Sequence, residues 1–194
     1  MLYSTLRALF HFIFRLIFRL KVIGIENIPE DKPVILCANH TSNMDPPLLG
    51  SPLVTRRVHY MAKAELFDLP VLGWVLPRIS AFPVKRGGVS KESIRLSLQL
   101  LQDKQILGIF PEGSRSNAGG IGKKGAASLA LKSGAVVIPS AIVGGYKPFR
   151  RMTLVYGKPL DISEFAESGS AGVEEATNRI MEAIRELVKK YESK

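Results

Sequence analysis

Six apolar runs of five to seven residues punctuate the chain: Val34–Ala38, Val58–Ala62, Ile79–Val84, Ile106–Pro111, Ala135–Ala141 and Met152–Tyr156. Each has strand length, and most break off at Gly, Pro or a polar cluster. Helical patterns lie between several of them. Ser90 is placed to cap a helix reaching Gln102, with Ile94, Leu98 and Leu101 on one face. A second pattern, Ala126–Lys132, stops at Gly134. A third carries Val173, Thr177, Ile180, Ile184, Leu187 and Tyr191 at helical spacing. Strands that are apolar throughout and alternate with helices predict an α/β fold, a mostly parallel central sheet flanked by helices. In such sheets ligands bind beyond the carboxyl ends of the strands.

The length, 194 residues, suits one domain, and 46% hydrophobic residues against 23% charged provide its core. Cys37 is the single cysteine, so no intrachain disulfide forms and no oxidising compartment is implied. A net charge of +10 predicts an anionic partner: nucleic acid, an acidic protein or an anionic membrane.

The first twenty residues, "MLYSTLRALFHFIFRLIFRL", bear on that choice. They contain no acid, and Arg7, His11, Arg15 and Arg19 recur every four residues, a slowly drifting stripe on a helix. The charges interrupt the segment too often for a span, and it lacks the h-region and cleavage site of a signal peptide. Two readings stand: a helix in the membrane interface, arginines at the headgroups and Phe and Leu below, or an amphipathic helix packed on the protein's own core. The membrane reading divides the chain into a membrane-associating segment, 1–22, and a globular domain, 23–194, with Arg7, Phe14, Arg15, Phe18 and Arg19 making the contact. It also disfavours nucleic acid, because Phe10, Phe12, Phe14 and Phe18 sit among aliphatics and form no base-stacking platform.

Three constellations bear chemistry. In "VILCANHTSNMDPP" a buried strand delivers His40 and then Asp45. Asp45 has the position of a helix N-cap, with Pro46 at the first helical residue, and can reach back to His40. A carboxylate on one ring nitrogen fixes the tautomer and leaves the other as a general base. From spacing alone, a capping Asp45 and a packing His40 stand beside that reading. In "FPEGSRS", Glu112, Gly113 and Arg115 reach the same sheet edge; Arg115 suits a phosphate, and an internal ion pair is the alternative. Lys63, Lys85-Arg86 and Lys123-Lys124 can line an anion pocket or remain solvated charges. There is no P-loop, no G-x-G-x-x-G and no G-x-S-x-G elbow. Cys37 falls within an apolar run, where it reads as a small core residue. Three histidines and one cysteine offer no zinc site, and no metal is expected.

"NHTSNMD" resembles the H-x4-D motif of the glycerolipid acyltransferases, and "FPEGSRS" resembles their second signature. "FPVKRGG", ending at Arg86, resembles the block between them, and "VVIPSAIVG" a fourth. The order agrees from about Ile25 to about Leu160. The resemblance implies a membrane-associated acyltransferase domain moving a fatty acyl group from acyl carrier protein or acyl-CoA to lysophosphatidic acid, giving phosphatidic acid. It makes His40 the base and Asp45 its orienting partner. It places Glu112, Gly113 and Arg115 on the acceptor, with Arg86 and Lys63 as further phosphate contacts. It implies no cofactor beyond the thioester co-substrate, anionic membrane lipids as partners, and peripheral or monotopic attachment at the cytoplasmic face of a bacterial membrane. The same motifs also fit glycerol 3-phosphate or another lysolipid as acceptor, and the composition alone fits a basic membrane-binding module without enzymatic activity.

Overall fold

A computed structural model describes residues 2–84, 91–113 and 122–192. In chain order the elements are α1 (Leu2–Ile17), β1 (Lys21–Ile23), β2 (Val34–Ala38), α2 (Asp45–Gly50), β3 (Val58–Lys63), α3 (Pro70–Arg78), β4 (Ala81–Val84), α4 (Lys91–Gln102), β5 (Ile106–Ile109), α5 (Gly125–Ser133), β6 (Val136–Val143), β7 (Thr153–Tyr156) and α6 (Gly169–Glu192). The strands of the described residues form one sheet in the order β1-β7-β6-β2-β5-β3-β4. Every pairing is parallel except β6 with β7.

β2 shows why this sequence makes this sheet. All five of its residues are buried. Successive side chains alternate across the pleat. Val34, Leu36 and Ala38 therefore join one core with Phe14 of α1 and Leu48 and Leu49 of α2, while Ile35 and Cys37 join the other with Leu101 of α4, Ala127 of α5 and Ile180 of α6. Helices α1, α2 and α3 thus cover one face, and α4, α5 and α6 the other. Each fully buried aliphatic side chain contributes roughly 1.5–3 kcal/mol. The helix that stops at Gly134 does so in the left-handed region, φ 65°, where glycine carries no Cβ penalty.

The six expected strands are present, each within two residues of the expected bounds. Two elements are additional. β1 is three residues long and follows the amphipathic segment directly, and α3 interrupts an apolar stretch with Pro at its start and Pro77 inside. A boundary after residue 22 falls inside β1, which pairs with β7 in the sheet. α1 is joined to the same body: the Tyr3 hydroxyl accepts from Val58 N (3.2 Å), and Arg7 Nη1 donates to Ser51 O (2.7 Å).

The placement of α1 corrects the membrane contacts read from its sequence. Phe14 is fully buried in the core, and Phe18 packs against that core. Neither faces outward. Arg7 and His11 turn inward to Ser51, Arg15 is exposed, and Arg19 lies past the helix end. The outward apolar residues are instead Leu2, Leu9, Phe12 and Leu16. The cause is that the aromatic side of α1 offers the larger area to bury, and the helix rolls it onto the sheet. Among the described residues, no helix is long and apolar enough to cross a membrane.

Candidate active site

The carboxyl ends of β2, β5, β3, β4 and β6 all lie along one edge of the sheet. The chain leaves β2 through Asn39, whose side-chain amide donates to Ile142 O (3.0 Å) and accepts from Ile142 N (2.8 Å). This clamp carries the β2–β6 ladder one step further and fixes where the next residue, His40, starts.

His40 Nδ1 lies 2.9 Å from Asp45 Oδ2. The same oxygen accepts from Thr41 N (2.6 Å) and Ser42 N (2.7 Å). The Tyr146 hydroxyl donates to the other oxygen, Oδ1, at 2.5 Å. Asp45 is fully buried, while the His40 side chain keeps 18% of its surface exposed. A carboxylate oxygen only accepts, so Nδ1 carries the hydrogen and Nε2 presents a lone pair. The imidazole stacks on Phe110, ring centroids 4.3 Å apart at 23°. Two torsional freedoms of the histidine are thereby held, one by the carboxylate and one by the ring beneath it.

Asp45 is not the cap expected of it. Met44 occupies the N-cap position and Asp45 is the first helical residue. Its carboxylate serves the preceding loop, and Pro47 removes the amide two residues on that a cap at Asp45 would accept from.

Glu112, 3% exposed, follows β5 and accepts from His40 N through Oε2 at 2.9 Å. Through that oxygen it braces the histidine's backbone. Gly113 is left-handed at φ 72°, and a Cβ there would lie 2.4 Å from Lys123 Cε. Its bareness lets the Lys123 side chain cross the loop, while Lys123 N donates to Pro111 O (2.7 Å). Lys124 does not join this group; it pairs with Glu174 of α6 at 2.9 Å. Lys63 is exposed at the end of β3, two strand spacings, about 10 Å, from β2. Arg86 and Arg115, like Ser90, lie outside the described residues.

Tyr146 was not among the residues expected here. The signal was available: "GGYKP" follows β6, and β6 ends on the edge that holds His40. Burial and then the Asp45 charge and hydrogen bond push its phenol far above the ordinary range, so it remains a donor. The Phe18 ring meets it edge-on, centroids 5.7 Å apart. Burial also pushes the Cys37 thiol up to about 12. That is the behaviour of a core residue and not of a nucleophile. No cluster of three or more His, Cys, Asp or Glu among the described residues is arranged to hold a metal ion.

An acyltransferase family model matches residues 19–143. A 1-acyl-sn-glycerol-3-phosphate acyltransferase of Bacillus subtilis is 34% identical over 179 residues, 90% of this chain and 88% of that protein. One from Streptococcus pneumoniae is 30% identical over 84% of this chain, which spans 63% of that protein's length. The crystal structure of the 1-acyl-sn-glycerophosphate (LPA) acyltransferase PlsC from Thermotoga maritima is similar with a TM-score of 0.71 and 25% identity, covering all of this chain and 79% of that one.

Proposed function

The chain belongs to the acyltransferase family, and from that footing we propose that it esterifies lysophosphatidic acid with a fatty acyl group from a thioester, giving phosphatidic acid. The observation that carries this reading is the buried Asp45 carboxylate on His40 Nδ1, which leaves Nε2 bare at an accessible edge. Nε2 takes the proton of the acceptor hydroxyl as its oxygen attacks the thioester carbonyl. The tetrahedral adduct collapses, the C–S bond breaks, and the thiolate leaves and takes the proton from the imidazolium. The products are an ester and a free thiol. No acyl-enzyme forms, which suits a site whose one cysteine is inert.

The acceptor's phosphate falls to Arg115, with Arg86 as a second contact and Lys63 a more distant one. A planar guanidinium donating two bonds at once suits a phosphate. Acyl carrier protein and acyl-CoA are the donor classes; a net charge of +10 favours an acidic carrier. The acceptor is an amphiphile, so the site works at a bilayer surface. Leu2, Leu9, Phe12 and Leu16 of α1 are the apolar contact, with peripheral attachment and the cytoplasmic leaflet as its setting.

Purified protein offered a labelled thioester and a panel of lysophosphatidic acid, glycerol 3-phosphate and neutral lysolipids tests the assignment by mass spectrometry of the products. Phosphatidic acid is the expected product. His40→Ala should lower turnover about 10²–10⁴-fold while the folded protein persists. Substantial turnover by that variant would remove the base from the mechanism, and an unchanged acceptor KM in Arg115→Ala would remove the phosphate contact.

A further inference from the structure

A groove at the far end of the same sheet edge has no part in the chemistry above. It lies between the end of α1 and β1, and its walls include His11, Arg15, Arg19, Lys21 and Arg151, with Pro52 on one side and no acidic residue. β1 lies three strand spacings from β2, about 14 Å, so this groove and the His40 loop are separate places. None of the four long basic side chains forms an ion pair with a carboxylate of the described residues. The field is positive already: burial, then the Arg15 and Arg7 charges, hold the His11 imidazole below its ordinary range. Arg19 is held at φ 45°, in the left-handed region where a non-glycine residue is strained. The chain turns there to pass from α1 into β1, with Leu20 N donating back to Phe14 O at 3.2 Å. An arginine at a glycine-favouring position, among cations that form no ion pair within the described residues, calls for a use.

The outward face of α1 leads to this groove. Leu9, Phe12 and Leu16 are exposed one turn after another, and the groove opens at the helix end that follows Leu16. We propose that the groove binds the phosphate of an anionic membrane phospholipid, whose acyl chains run beside the exposed Leu and Phe of α1. It is an anchoring site distinct from the acceptor site. Guanidinium groups converging on one groove match a phosphate's oxygens by direct hydrogen bonds, and the flanking apolar face accommodates hydrocarbon. The proposal shares with the acyl-transfer reading only the placement of α1 at the bilayer, and its test reads binding instead of product.

The full chain is sedimented with neutral phosphatidylcholine vesicles and with vesicles containing phosphatidylglycerol. The variant Arg19→Gln/Lys21→Gln/Arg151→Gln should lose about a hundredfold in affinity for the anionic vesicles, about fivefold per residue. The control Arg95→Gln/Lys132→Gln/Lys190→Gln removes the same charge from the helices on the opposite face and should lose far less. Equal losses in the two variants, or none in the first, overturn the proposal, because net charge alone then accounts for binding. Millimolar glycerol 3-phosphate should not release the protein from the vesicles. Release would assign the groove to a free phosphate ester and overturn the lipid assignment. His40→Ala should keep full vesicle affinity, so a failure of the groove and a failure of the acyl-transfer mechanism are read separately.

Discussion

Asp45 is fully buried and accepts on both oxygens: three N–H donors meet Oδ2, and the Tyr146 hydroxyl meets Oδ1. The Tyr146 bond is the one that spans the molecule, from a residue 101 positions away. Removing it leaves a buried carboxylate oxygen short of a donor, a cost of about 1–3 kcal/mol shared between stability and the aim of the imidazole. Tyr146→Phe should therefore lower kcat about tenfold with the acceptor KM nearly unchanged, measured under saturating thioester. In an Asp45→Asn background the same change should add little, since both act on one histidine. Additive losses would mean that Tyr146 supports only the packing around Phe18. At this scale the sequence exposed His40 and Asp45, because five residues separate them and a turn closes that distance locally. It concealed Tyr146 and the bracing role of Glu112, because both depend on which strands become neighbours.

Strand runs were legible because a fully buried strand is apolar at every position, as in β2. β1 was not, since three residues leave no periodicity to read. α1 was legible as a helix, but its inward side was not: two apolar faces compete for one core, and the choice belongs to the sheet it lands on. The end of α1 supports a further expectation. Arg19→Gly places a residue without a Cβ at φ 45° and should gain about 0.5–1 kcal/mol, a rise in Tm of about 1–4 °C. The same variant should bind anionic vesicles about fivefold more weakly. Calorimetry and sedimentation read the two effects side by side. A lower Tm would show that the arginine side chain supports the fold, and would remove strain as a sign of function.

For the whole molecule, two histidines set the response to acid. Burial first, then neighbouring arginines, lower the folded values of His11 and His59, although a bond to Gln105 partly offsets this at His59. The unfolded chain takes up these protons first, near the ordinary 6.5. Below that value it binds more protons than the folded state, so stability is full above about pH 6.5 and declines as the pH falls through it. Asp161, lowered by its hydrogen bonds to Ser163, acts in the same direction but in the carboxylate range, well below that window. Urea midpoints should fall from pH 7.5 to 5.5, and a His11→Asn/His59→Asn variant should show a shallower fall. Identical slopes would assign the acid sensitivity elsewhere. By itself, the order of residues determined six of the seven strands of the central sheet, the α/β class and the closeness of His40 to Asp45, because each lies within a short stretch of chain where periodicity and spacing act directly. The tertiary structure alone decided that β7 runs against β6, that Tyr146 and Glu112 close on the histidine, that Phe14 faces inward and that five basic residues meet at one groove. These contacts join segments far apart in the chain, and they form only once burial of the whole core outweighs the entropy of bringing those segments together.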